Sequence, residues 1–159
     1  MTNAQAPKEK SELDKFREEA LIAHNEKRAL HGAPPIKLSA ELNNIAQKYA
    51  EILYQKGEFT HSDSSFRNGA GENLAAGSYE MTGAAVTDFW YREINKYDWN
   101  DPGFKSDTGH FTQVVWKDCT HMGIGKSERG KNGMYAYVAN YSPAGNMIGA
   151  FEQNVLPLQ

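Results

Sequence analysis

The order of the apolar patterns along the chain constrains the fold most. Three segments before residue 98 carry apolar residues at steps of three and four, which is the helical period. Three shorter runs after residue 109 are rich in β-branched and aromatic residues: FTQVVWK, HMGIGKS and MYAYVANY. Helices that precede antiparallel strands predict an α+β arrangement rather than the βαβ alternation of a doubly wound fold.

Local signals set the bounds of the predicted helices. A serine that can cap a helix precedes each of the first two, which we predict over 11–30 and 39–57. The first helix stops at the sequence HGAPP, because glycine favours termination and proline cannot continue a helix. A third helix is predicted over 80–97, and the Gly- and Ser-rich segment 58–79 is predicted to be a loop.

Bulk composition narrows the class of protein. The chain has 159 residues, 40% of them hydrophobic and 23% charged, which is typical of one globular domain. We therefore predict a flexible N-terminal tail at 1–10 and a single domain at 11–159. A net charge of −3 argues against a nucleic-acid partner. Cys119 is the only cysteine, so no internal disulfide forms, which favours a reducing compartment.

His110 is a titratable residue at the start of an apolar run. If FTQVVWK is a strand, side chains alternate between its faces, and His110 shares a face with Thr112 and Val114. One interpretation is a core or edge histidine paired with a backbone carbonyl. The other is a functional imidazole that lies where the strand begins.

Two glutamates also break the apolar pattern. Glu93 follows Trp90 by three residues and Val86 by seven, so it lies on the inward stripe of the third predicted helix. Burial of an unpaired carboxylate is costly, so Glu93 must be paired, hydrogen-bonded, bound to a metal or lining a cleft, unless it lies at the helix boundary. Glu72 lies in GAGENLAAG, where glycines permit close backbone approach, although Gly-Glu-Asn is also good turn chemistry.

His61 completes a set of candidate site residues. Alone, it is most typical of a surface or turn histidine. Together, His61, Glu72, Glu93 and His110 supply two imidazoles and two carboxylates from different segments. Imidazoles suit zinc, and carboxylates commonly orient them, so this set is a plausible metal-binding pocket.

Four motifs together resemble the CAP superfamily, which includes cysteine-rich secretory proteins, antigen 5 and plant pathogenesis-related proteins. GHFTQVVW at 109–116 and YVANYSPAGNM at 137–147 are similar to its two signatures. HNEKR at 24–28 and GENL at 71–74 are similar to its shorter motifs. The resemblance covers nearly the whole chain, in family order.

The resemblance implies a fold and a site. The fold is a three-layer α-β-α sandwich with a central antiparallel sheet. The site is a cleft tetrad, which falls by motif on His61, Glu72, Glu93 and His110. Zinc or another divalent cation is expected between the two histidines, with the two glutamates beside them.

Departures from the signatures favour one branch of the superfamily. Cys119 stands where a hydroxyl or amide residue is expected, and Ala139 stands where secreted members have a cysteine. The chain most resembles the Golgi-associated plant pathogenesis-related branch, although Thr2 replaces the glycine that is myristoylated there. In that branch a serine that corresponds to Ser78 is proposed to meet the cleft across a homodimer.

Two classes of function follow from the resemblance. The favoured one is a module that binds lipid, sterol, a membrane surface or a protein partner and holds a divalent metal in its cleft. The alternative is a protease or esterase that uses metal or His–Glu pairs, with Ser78, Glu72 and Glu93 as catalytic candidates. We expect an intracellular protein peripheral to membranes such as the Golgi, or else a secreted one whose signal peptide is absent from this sequence.

Overall fold

A computed structural model describes residues 9–159 as five α-helices, one 3-10 helix and four strands. The predicted tail at 1–10 falls mostly on residues 1–8, which lie outside the described residues. The helices are α1 (Glu12–Leu30), α2 (Ala40–Lys56), α3 (Gly83–Tyr91), the 3-10 helix (Arg92–Lys96), α4 (Gly109–Val115) and α5 (Phe151–Asn154). The strands are β1 (Lys37–Leu38), β2 (Gly71–Gly77), β3 (His121–Lys126) and β4 (Tyr135–Ser142).

The strands form one sheet in the order β1-β3-β4-β2. The pairings β3–β4 and β4–β2 are antiparallel, as predicted for the central sheet, whereas the two-residue β1 pairs in parallel with β3. Helix α2 packs on one face, where Leu53 contacts the cluster of Leu74 and Val138. Helices α1, α3 and α4 cover the other face, around Trp90 and Tyr137.

Capping residues mark where the first two helices begin and where the second one ends. The Ser11 hydroxyl accepts a hydrogen bond of 3.0 Å from the amide of Asp14, which starts α1. The Ser39 hydroxyl accepts one of 3.2 Å from Leu42, and Gly57 ends α2 in the left-handed region with φ of 67°. The predicted helices at 11–30 and 39–57 are therefore confirmed.

The segment 109–115, predicted as a strand, is helix α4. Its residues from Phe111 to Val115 are all at most 1% exposed, so burial has no period in this short segment. A short, fully buried run cannot be assigned to helix or strand from its pattern alone. His110 therefore lies in the first turn of a helix, and the expected strand alternation with Thr112 and Val114 is wrong.

Two further segments differ from the prediction. Residues 71–77 form strand β2 rather than loop, because all seven pair in antiparallel register with β4. A Cβ on Gly71 would lie 2.2 Å from Oε1 of Gln113, so only glycine allows this approach. The third helix is also shorter than predicted, since α3 ends at Tyr91 and the chain continues as the 3-10 helix.

Arg28 fastens α1 to the segment after α4. Its guanidinium is fully buried and donates hydrogen bonds to five backbone carbonyls, including those of Trp116 at 2.7 Å and Cys119 at 3.0 Å. The five donors of a guanidinium suit such a cluster of acceptors. Arg28 therefore fixes the position of the C-terminal end of α4.

No helix within residues 9–159 has both the length and the apolar character that a bilayer crossing requires.

Candidate functional site

Glu93 and His110 form the first of two histidine–carboxylate pairs. Nδ1 of His110 lies 2.7 Å from Oε2 of Glu93. The other carboxylate oxygen accepts hydrogen bonds from the backbone amides of His110, at 2.9 Å, and Phe111, at 3.0 Å. Thr108 makes no side-chain cap at α4, so Glu93 satisfies the first amides of α4 from the 3-10 helix.

Trp90 supports this pair from the core. Its indole ring stacks on the His110 ring at a centroid distance of 6.3 Å and an interplanar angle of 16°. Its Nε1 donates a hydrogen bond of 3.0 Å to the carbonyl of Leu74 on β2. Trp90 therefore holds the imidazole of His110 against the edge of the sheet.

His61 and Glu72 form the second pair. Nδ1 of His61 lies 2.8 Å from Oε1 of Glu72, whose side chain is only 1% exposed. The amide and hydroxyl of Ser62 donate to the two oxygens of the same carboxylate, at 3.0 Å and 2.5 Å. Arg67 lies 3.7 Å from Oε1 of Glu72 and donates to the hydroxyl of Ser62.

These contacts keep Glu72 ionised. Burial raises the pKa of Glu72, but the hydrogen bonds from His61 and Ser62 and the charge of Arg67 together outweigh burial. The pKa of the Glu72 carboxyl therefore lies below its ordinary value. An ionised carboxylate is the form that accepts a proton-donating bond from the Nδ1 of His61.

Strand β2 connects the two pairs. Glu72 and Asn73 are consecutive, so their side chains point to opposite faces of this edge strand. While Glu72 binds His61, the Asn73 amide donates to the carbonyl of His110 at 3.1 Å and to the Tyr141 hydroxyl at 3.3 Å. The four predicted residues are thus gathered as two pairs around one strand.

Sequence reasoning missed three residues that hold the pairs in place: Ser62, Arg67 and Asn73. Asn73 has a signal in the sequence, because it is the asparagine of the GENL motif beside Glu72. Ser62 and Arg67 have none, since their contacts with Glu72 depend on how the segment 58–70 folds back on β2.

The pairing leaves one nitrogen of each ring available. A carboxylate that accepts from Nδ1–H places the lone pair of a neutral imidazole on Nε2. Within residues 9–159, no hydrogen bond reaches Nε2 of His61 or of His110. The same residues contain no group of three His, Cys, Asp or Glu disposed around a metal. Each available Nε2 lone pair is the kind of donor that zinc takes from histidine.

Ser78, the third catalytic candidate, lies away from these pairs. It is exposed and follows the C-terminal end of β2, six residues beyond Glu72. At the rise of an extended chain this separation is about 20 Å. Within one chain Ser78 does not join the tetrad, so its role across a homodimer stays a prediction.

Cys119 is not a nucleophile in this fold. It is 2% exposed, and its Sγ lies 3.0 Å from the carbonyl oxygen of Pro143. Burial raises the pKa of the Cys119 thiol to about 11. The thiolate that nucleophilic chemistry needs is therefore scarce at neutral pH.

Comparisons with known proteins show the family to which the chain belongs. The family described as CAP, Cysteine-rich secretory protein family, matches residues 21–141. Over 150 residues the chain is 49% identical to Golgi-associated plant pathogenesis-related protein 1 of Homo sapiens, covering 93% of this chain and 97% of that protein. It is 45% identical over 137 residues to Protein PRY2 of Saccharomyces cerevisiae, covering 85% of this chain but 39% of that protein.

Solved structures share the fold. The structure described as NaASP2 with Zn2+ superposes with a TM-score of 0.72 at 23% identity, covering 95% of this chain and 90% of that one. BmVAL-1 superposes with a TM-score of 0.70 at 22% identity, covering 91% and 82%. These likenesses confirm the α+β sandwich that was predicted from the sequence.

Proposed function

This chain belongs to the CAP family, and on that premise we propose that it binds a divalent cation, zinc foremost, between the imidazoles of His61 and His110. The cation site serves a non-enzymatic module that binds a lipid, a sterol or a protein partner. When bound, the cation would offer open coordination positions to an oxygen atom of that ligand.

One observation carries this proposal: both imidazoles are oriented by a carboxylate at Nδ1 while Nε2 stays available. The two Nδ1–carboxylate distances, 2.8 Å at His61 and 2.7 Å at His110, are those of strong hydrogen bonds. Metal-binding histidines are commonly oriented in this way by an acceptor at the other ring nitrogen. The related structure NaASP2, described with Zn2+, supports the choice of zinc.

Apolar surface beside His110 supports a lipid or sterol as the ligand. The Phe104 ring lies against Gly109, the residue before His110, so closely that a Cβ on that glycine would be 2.8 Å from it. Phe104, Met147 and Ile148 are 57%, 56% and 96% exposed. Phe104 and Ile148 line the same shallow cavity, and exposed apolar side chains that lie together commonly mark a binding surface. The name of the human relative, which is described as Golgi-associated, supports a location at the surface of Golgi membranes.

The alternative, a hydrolase, has weaker support. A catalytic zinc usually has three protein ligands, whereas two imidazoles are available here. Within residues 9–159, no serine, threonine or cysteine is hydrogen-bonded to Nε2 of either histidine. Neither His61 nor His110 therefore has, among the described residues, a hydroxyl or thiol placed for activation as a nucleophile.

Calorimetric titration with zinc tests the cation site. We expect the double variant His61→Ala plus His110→Ala to lose binding, and each single variant to weaken it. His121→Ala is the matched control, because His121 is exposed and lies on β3, outside the two pairs. Binding should also weaken on acidification, because a protonated imidazole cannot ligate. Unchanged affinity in the double variant would contradict the proposal.

A second experiment separates the binding module from the hydrolase. Vesicles with and without sterol are mixed with the protein in the presence of zinc or of a chelator, and peptide and ester hydrolysis is measured in parallel. Zinc-dependent binding of vesicles or sterol without turnover supports the module. Turnover that the double histidine variant abolishes would favour the hydrolase.

A further inference from the structure

Asn146 lies in the loop 143–150, which joins β4 to α5, and has an unusual backbone conformation. Its φ is 57°, in the left-handed region that few residues other than glycine adopt. Asparagine tolerates this region better than most residues do. Glycine would adopt this conformation at a lower conformational cost, so the presence of a side chain here indicates that the side chain itself contributes to the structure or function.

The Asn146 side chain binds the first turn of α4 with both of its polar atoms. Its amide nitrogen donates to the carbonyl of Gly109 at 2.9 Å. Its carbonyl oxygen accepts from the hydroxyl of Thr112 at 2.6 Å, and that hydroxyl also lies 3.1 Å from the carbonyl of Gly109. Gly109 directly precedes His110, so these bonds act on the backbone that carries the imidazole.

The residue before Asn146 also contacts α4. The Gly145 amide donates to Oε1 of Gln113 at 3.2 Å, and Gln113 is 1% exposed. A Cβ on Gly145 would lie 2.5 Å from Nε2 of Gln113, so the loop and α4 are in close contact. Asn146 is therefore presented to α4 from a firmly held backbone.

Side chains thus bind both the backbone amides and a backbone carbonyl in the first turn of α4. Glu93 accepts from the amides of His110 and Phe111, and Asn146 donates to the carbonyl of Gly109. Glu93 also binds the His110 ring, and the distance of 2.7 Å between Oε2 and Nδ1 depends on how this turn is oriented. Asn73 also donates to the carbonyl of His110, so loss of the bond to Gly109 would change the tilt of this turn, and with it the angle of the ring to Glu93, rather than free the turn.

We propose that Asn146 is a positioning residue, which sets the orientation of the His110 imidazole without touching the bound cation. This inference rests on the proposed cation site for its effect on binding. Its effect on the orientation of the ring is independent of any cation.

The substitution Asn146→Gly removes the side chain and keeps the left-handed backbone easily accessible. Asn68→Gly is a matched control, because Asn68 also has a left-handed φ, of 52°, and within residues 9–159 its side chain makes a single bond, of 3.4 Å, to exposed Glu41. We expect zinc affinity to fall about tenfold in Asn146→Gly, the scale of losing a group that orients a metal ligand. Affinity in Asn68→Gly should stay at the level of the unmodified protein.

The orientation is measured without metal, at fixed pH, from the ring ¹H–¹⁵N NMR signals of His110. In Asn146→Gly, the Nδ1–H signal bonded to Glu93 should shift or broaden, while the ring of His61 stays unchanged. A His110 spectrum identical to that of the unmodified protein would overturn the inference. If the unmodified protein does not bind zinc, the cation site is refuted, and this spectrum still decides the role of Asn146.

Thr112 provides a second pair of variants should Asn146→Gly fail to fold. Thr112→Ser retains the hydroxyl that donates to Asn146 and should keep the His110 ring signal. Thr112→Val has nearly the same shape without the hydroxyl and should alter that signal. Equal spectra in the two variants would contradict the positioning role.

Discussion

The buried and the paired histidines of this protein use their rings differently. His24 and His31 are fully buried, and both nitrogens of each ring have a partner. His24 bonds the Ala20 carbonyl at 2.8 Å and the Tyr141 hydroxyl at 2.7 Å. His61 and His110 are 59% and 28% exposed in their side chains, and each uses only Nδ1 among the described residues.

The partners explain what each pair does. Backbone carbonyls and tyrosine hydroxyls satisfy a neutral ring completely, so His24 and His31 are structural. Burial lowers the pKa of His24 to about 4 and also lowers the pKa of His31, which keeps both neutral. The carboxylates at His61 and His110 instead orient the ring and leave a lone pair for a ligand. A carboxylate at Nδ1 together with an available Nε2 thus distinguishes His61 and His110 from the structural His24 and His31.

The largest expected difference between the buried histidines and the carboxylate-bound histidines is in stability. His24→Ala should lower the free energy of unfolding by about 3 to 5 kcal/mol, because it leaves a cavity and removes the acceptor of the Tyr141 hydroxyl proton. His61→Ala is the matched control and should cost less than about 1 kcal/mol, because its ring is mostly exposed. Urea denaturation of both variants measures the difference. Equal losses would show that the comparison does not separate the two kinds of histidine.

The pH dependence of the free energy of unfolding should reflect the protonation of buried His24. The pKa of His24 is about 4 in the folded protein and 6.5 in the unfolded chain, so the unfolded state binds a proton first on acidification. The stability is fully present above pH 6.5 and decreases as pH falls to 4, by about 3 kcal/mol from His24.

Denaturation curves across this pH range measure the loss. His24→Gln, which does not titrate, should have a shallower decrease than the unmodified protein. If the two proteins have the same slope, His24 is not the group whose protonation destabilises the fold.

The smallest effect concerns Glu93, where only the binding function of a paired histidine should change. In Glu93→Gln the amide oxygen can still accept from the two α4 amides, while the amide nitrogen becomes a donor that faces Nδ1 of His110. The ring must then carry its proton on Nε2, where a cation would bind.

Zinc affinity should therefore fall about tenfold or more, whereas the unfolding free energy changes by about 1 kcal/mol or less. Zinc titration and a melting curve on this variant measure both, with Glu128→Gln, an exposed position, as the control. A loss of several kcal/mol with unchanged zinc affinity would make Glu93 a structural residue only.

The sequence was sufficient for what local chemistry decides. Helices α1 and α2 were predicted because serine caps, helical spacing and a closing glycine all lie within the segments that they shape. The motifs named His61, Glu72, Glu93 and His110, and the structure gathers them as two pairs around β2. The stretch from Phe111 to Val115 was wrongly predicted as strand, because burial on every side removes the periodicity that distinguishes helix from strand.

The tertiary structure alone decided how the site is held. Helix α4 begins where it does because Glu93, seventeen residues from His110 in sequence, accepts its first amides. The same carboxylate turns the His110 ring, and Asn73 on β2 holds the His110 carbonyl. These contacts join segments that are distant in the chain, so no local pattern encodes them. The sequence therefore identified the four candidate residues, and packing determined which nitrogen of each histidine is available to a ligand.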